Sequence, residues 1–421
     1  MSSPSTNMAP SSRLVIPHFG IASVVWLLVL FLLLFNSEIL HQHFFSFKLL
    51  AITHLFVLGF VTVVIFGALY QLIPVIFKTK LFSEKLAFYS LFSLLGGTML
   101  VIIGFWFEIL QTVLWVGGVL ISISSLIFVL NTLLTIKNVI ITKIEEKLIL
   151  IAILWFFITC ILGFLLAINL AFPFISVSHL ELLKIHAHFG IIGWFLQLVF
   201  GVASVLIPMF LVSHNLNKKP LEICFYLINS ALFLGLFSSI FHFNIGTKIA
   251  FSIGALSLAF FLYFVYTVYK ARVKKKLDLG LKKTYLAFIL LLLPLVFALV
   301  ISNFDPNKFD FSISYLISIL IGFISTIILG QTFKTLPFII WLKEYKSVVG
   351  KEKTPLPKDL YSEKMLNLQL IFHLFGVLVL IPSLLFKINH LTLFAISLLI
   401  IAALIYNFNV FTIILHKRKK I

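Results

Sequence analysis

The sequence predicts an all-α membrane protein: about twelve transmembrane helices in three pseudo-symmetric four-helix units, with both termini on the cytoplasmic side. Three observations predict it. They are a composition too apolar for a soluble chain, basic residues that alternate from loop to loop, and a motif that returns on every fourth helix.

Of the 421 residues, 61% are hydrophobic and 11% charged, with a mean hydropathy of +1.17. A soluble domain is about a quarter charged, so a membrane class is indicated. A spanning helix needs ~20 mostly apolar residues. Such windows fall at 14–36, 47–77, 86–107, 110–136, 148–170, 184–212, 221–243, 247–269, 284–303, 311–341, 366–386 and 390–413. They form one membrane domain over 14–413, with repeat units near 14–136, 148–269 and 284–413. A cytoplasmic tail, 1–13, precedes it and a basic tail, 414–421, follows. The polar start and the length of the first apolar run do not read as a cleavable signal peptide.

The net charge is +18, and its placement fixes its meaning. With the N-terminus inside, the inner segments hold 26 of the 32 Lys and Arg. The outer loops hold Lys48, Lys184, Lys248, Lys308 and Lys387, and Lys334 lies within a span. This is the positive-inside pattern. It predicts a multi-pass protein of the bacterial cytoplasmic membrane whose basic loops, such as KARVKKKLDLGLKK, lie against anionic headgroups rather than nucleic acid. Lys334 is read as snorkelling toward the inner surface, with a proton entry as the alternative. Cys160 and Cys224 fall at different depths, which argues against a disulfide, and no Cys metal motif exists.

Spans two, six and ten share Gly-(Phe/Trp)-x6-Gly-x6-Pro. The residues are Gly59, Phe60, Gly67 and Pro74, then Gly193, Trp194, Gly201 and Pro208, then Gly322, Phe323, Gly330 and Pro337. The offsets are 193 − 59 = 134 and 322 − 193 = 129 for every marker. His54 and His188 also match at 134, and the third position is Ile317. A motif recurring in the same direction every fourth helix implies three four-helix units about a pseudo-threefold axis. The glycines either let backbones approach or leave room for a flat ligand.

Ionisable residues inside a membrane are functional candidates. His54 lies ~10 Å below the outer end of its span at helical rise. His186 and His188 lie near the outer end of span six. Being ~200° apart on a helix, they cannot easily chelate one ion and would face different sites. Neutral imidazole suits haem iron, copper or zinc, so His54, His186 and His188 are the candidate cofactor and metal ligands. Hydrogen bonding between helices and proton work are the other readings. His41, His43, His179 and His390 read as interfacial, with a weaker outer copper or zinc alternative. His18 and His373 read as packing residues, with His373 a candidate second axial ligand.

Twelve spans in units of four, with THLFVLGFVTVVIFGALYQLIP and HAHFGIIGWFLQLVFG near the outer ends of spans two and six, resemble subunit I of the haem–copper oxidase superfamily. NnrS-type haem- and copper-binding membrane proteins are a looser likeness. The resemblance implies haem of b-type, copper as a further cofactor, a cytochrome or quinol electron donor, and oxidoreductase chemistry. It places His54 at the low-spin haem ligand of span two, and His186 or His188 near the copper ligand of span six. It also marks departures. Span seven should carry a His-His pair but has His242 alone at its end. Span ten should carry His-x-His but reads Tyr315-Leu316-Ile317. The implied role is electron transfer, O2 or NO binding, or haem and copper handling. The alternatives are a permease for a metal or small solute and a non-catalytic oxidase assembly subunit.

Overall fold

The computed structural model describes residues 8–303 and 311–418. Residues 1–7 of the predicted tail, Lys308 of a predicted outer loop, and Lys419, Lys420 and Ile421 lie outside the described residues. Among the described residues, twelve helices are long and apolar enough to cross a membrane, in the order the sequence predicts. They are α1 (Ser12–Phe35), α2 (Phe47–Ile76), α3 (Glu84–Trp106), α4 (Leu110–Ile136), α5 (Ile144–Ala171), α6 (His179–Leu211), α7 (Lys219–Ile240), α8 (Asn244–Lys270), α9 (Leu279–Ser302), α10 (Phe311–Val348), α11 (Glu363–Leu385) and α12 (Asn389–Ile414). The chain is therefore an integral multi-pass membrane protein.

Helix starts carry polar caps that satisfy the first free N–H groups. Ser83 Oγ accepts from Leu86 N–H at 3.2 Å, Asp278 Oδ1 from Leu281 N–H at 3.1 Å, and Ser362 Oγ from Met365 N–H at 3.3 Å. The Asp278 cap moves the start of α9 ahead of its predicted place at 284. Lys283, read from the sequence as part of a basic loop, is consequently inside the helix and buried.

Two compact units are formed. One comprises Met1–Pro74 and Asp278–Ile421, which gathers α1, α2 and α9 to α12. The other, Val75–Leu277, holds α3 to α8. In the first unit α1 packs on α12, α9 on α10, and α11 on α12; in the second, α3 packs on α4, α5 on α6, and α7 on α8. The motif helices are the more buried ones. α2 and α10 are buried over 78% and 89% of their most apolar stretches, against 28% for α7, so they are interior helices.

The threefold repeat is present in the backbone itself. An eight-residue π-helical segment interrupts each motif helix: Leu55–Thr62 in α2, Phe189–Leu196 in α6 and Ser318–Ser325 in α10. These segments stand 134 and 129 residues apart, at the offsets of the glycines and prolines. π turns occur mostly as single-turn bulges, often at functional sites, so three long ones in one register make a deliberate element. Thr62 Oγ1 donates to Val57 O at 2.7 Å and Ser325 Oγ to Leu320 O at 3.0 Å. Both bonds span five residues and hold carbonyls of the widened turn.

The second glycine of the motif is a crossing point in all three copies. A Cβ on Gly67 would lie 2.6 Å from His18 Cβ of α1. One on Gly201 would lie 2.7 Å from Ile149 of α5, and one on Gly330 2.8 Å from Lys283 of α9. Each motif helix thus presses on the first helix of its own repeat, and close backbone approach is what this glycine provides.

Candidate histidine sites

His54 and His188 are the residues immediately before the first two π segments. His54 Nδ1 lies 2.7 Å from Leu50 O, and His188 Nδ1 lies 2.7 Å from Lys184 O. A carbonyl can only accept, so Nδ1 carries the proton in both rings and Nε2 carries the lone pair. That tautomer, fixed by a backbone carbonyl, is the one in which Nε2 serves as a ligand. His54 is half-buried and His188 exposed, so both rings can be reached.

The bond alone does not mark a ligand. His18 makes the same contact, Nδ1 to Leu14 O at 2.9 Å. Its ring is fully buried, meets Tyr70 edge-on and packs on Gly67, and Nε2 is enclosed without a partner. His18 is a packing residue, as the sequence suggests. Accessibility together with the π segment distinguishes His54 and His188.

His186 is turned away from His188. Its Nδ1 donates to Thr159 O of α5 at 3.1 Å, and its ring fills the space left by Gly163, where a Cβ would lie 2.8 Å from Cε1. The two histidines of HAH therefore serve different neighbours, as their angular separation predicts. Among the described residues, no three His, Cys, Asp or Glu side chains come together to hold a metal ion. His54, His186 and His188 accordingly do not build a three-ligand centre. Axial binding of haem needs one imidazole per face and is compatible with them singly.

The third copy has Ile317 before its π segment, 4% exposed. His373 is committed elsewhere. Thr326 Oγ1 donates to Gly322 O at 2.5 Å and so receives the proton of His373 Nε2 at 2.9 Å. Near the helix ends, His41 Nε2 meets Thr392 Oγ1 at 3.1 Å, and His43 Nδ1 accepts from Phe45 N–H at 3.1 Å. His179 Nδ1 lies 3.4 Å from Asn169 Nδ2. These contacts tie the interfacial histidines to loops and helix ends. Cys160 and Cys224 are buried free thiols.

Lys334 reaches the beginning of α9, where its Nζ pairs with Asp278 at 2.6 Å and its stem lies over Gly280. Its amine thus travels to the helix end, as the snorkelling reading expects. Sequence reasoning missed Lys283 and the π segments. The available signals were Asp278 as a cap before α9 and the hydroxyls Thr62 and Ser325 at equivalent depth.

Two comparisons with known proteins bear on the fold. Residues 7–247 match the family described as Cytochrome C and Quinol oxidase polypeptide I. An uncharacterized protein of Aquifex aeolicus (strain VF5) is 27% identical over 293 residues, which cover 68% of this chain and 70% of that one.

Proposed function

This chain belongs to the cytochrome c and quinol oxidase polypeptide I family, matched over more than half its length, and from that premise we propose that it is a haem-binding, oxidase-like protein of the bacterial cytoplasmic membrane with a reduced set of ligands. The observation that carries the reading is the matched pair, His54 and His188. Both precede a π segment, both are accessible, and both have Nδ1 bound to the carbonyl four residues back at 2.7 Å.

The residues fit haem better than a copper centre. Each accessible imidazole offers one axial nitrogen, whereas a multi-histidine copper site needs ligands that converge. His54 and His188 would each hold an iron through Nε2. A bound haem would supply one-electron transfer and reversible binding of diatomic gases. The Leu50 and Lys184 carbonyls orient the rings and keep the proton on Nδ1, which raises the basicity of the ligating nitrogen. His186 supports this arrangement from beside it by anchoring α6 to α5. Electron transfer, gas binding or haem handling is the role such a set of ligands serves, with a cytochrome or quinol as the electron donor.

The test is an absorption spectrum of the purified protein with haem supplied. A Soret band is expected, and His54→Ala and His188→Ala each weaken haem binding by at least ~10–100-fold, the range seen even for lost supporting bonds. No Soret absorbance in the supplemented wild type would sink the reading.

A further inference from the structure

Lys283 is 1% exposed and lies ~6 Å inside the start of α9. Its ammonium donates to Gln369 Oε1 of α11 and sits 5.8 Å from the centre of the Phe333 ring of α10. No described carboxylate forms an ion pair with it; Asp278 at the mouth of the helix is paired with Lys334 at 2.6 Å. An enclosed cation without a counter-ion is costly, and within a membrane it is a functional feature by default.

Polar groups continue on both sides of it. Toward the basic end, Gln331 Nε2 donates to Thr284 Oγ1 at 2.5 Å, and Thr284 Oγ1 donates to Gly280 O at 3.0 Å. Deeper, Gln369 and His373 are one turn apart on α11, both 1% exposed, and His373 meets Thr326 of α10. A file of polar side chains thus leads from Asp278 past Lys283 to His373. The packing leaves no room for a larger ligand. A Cβ on Gly330 would come within 2.8 Å of Lys283 Cβ, and one on Gly280 within 2.8 Å of the Lys334 stem.

We propose that Lys283 is a proton-binding site reached from the basic, inward-facing side, with the Asp278–Lys334 ion pair as its entry. The amine lone pair takes a proton from water at that face and returns it by the same route. The titratable groups on the elements around it are Asp278, Lys282 and Tyr285 on or capping α9, Lys334 on α10, and Glu363, Lys364 and His373 on α11. This site is independent of the histidines that hold haem under the proposed function.

Solid-state NMR of full-length protein, labelled with 15N-lysine and held in lipid bilayers, tests it without any cofactor. The Lys283 resonance is the one lost in Lys283→Met, which replaces the amine with an apolar chain of similar length. If that variant does not fold, the resonance shifted by Gln369→Leu identifies it. The expected result is conversion between ammonium and amine forms as the buffer pH is stepped, with slower exchange in Asp278→Asn. A resonance fixed in one form wherever the protein stays folded overturns the site. Unchanged exchange in Asp278→Asn overturns the entry.

Discussion

At His186, His54 and His188, what each ring touches decides its role more than where it falls in the sequence. His186 is held by Thr159 O and by the gap at Gly163, both on α5. A methyl at that gap forces the ring or the helix to shift. Gly163→Ala should therefore destabilise the protein by about 1–3 kcal/mol, the usual cost of overpacking. It should leave haem content per folded molecule unchanged. Thermal unfolding in detergent, followed alongside the Soret band, separates the two effects. His188→Ala should do the reverse, lowering bound haem with little change in melting temperature, because its side chain is exposed. This contrast within one His-x-His pair was partly legible in the sequence. The ~200° between alternate residues of a helix said that the two rings face apart. It did not say which faced α5, because the partner, a glycine in another helix, has no side chain to advertise the contact.

The π segments belong to the scale of the element, and here the sequence was nearly silent. Helical phase is read from the alternation of apolar and polar residues, and spans two, six and ten are apolar on every face. A widened turn changes no composition, so only Thr62 and Ser325 hinted at it. Each donates to a carbonyl five residues back, at 2.7 and 3.0 Å. Thr62→Val removes one such bond and keeps the shape of the side chain. The expected loss is ~1 kcal/mol, the net worth of a typical hydrogen bond, measured by thermal unfolding. A sharper test is deletion of one residue between Phe56 and Val61. One residue fewer turns His54 by ~100° relative to the lower half of α2. Helix content by circular dichroism should persist, while haem binding at His54 should be lost. Retained binding would mean that the π segment does not aim the histidine. Lys283 shows a different kind of blindness. A run of basic residues reads as a solvated loop, and here its last member was drawn into the helix by the Asp278 cap upstream.

For the molecule as a whole, the twelve helices and the alternation of charge are separate readings that constrain each other. An even number of spans puts both ends of the chain on one side, and 26 of the 32 Lys and Arg fall on the segments assigned to that side. The positive-inside bias makes that side the cytoplasm. The same assignment places Asp278, Lys334 and the approach to Lys283 at the inner face, and His54 and His188 near the outer one. A fluorescent protein fused after the C-terminus should therefore fluoresce in bacterial cells, and alkaline phosphatase fused there should be inactive. Phosphatase inserted in the loop between α5 and α6, within 173–177, should be active. The reverse pattern would invert the topology. It would put the proton entry on the outer side and the accessible histidines toward the cytoplasm, where an electron donor would have to be a soluble cytoplasmic carrier.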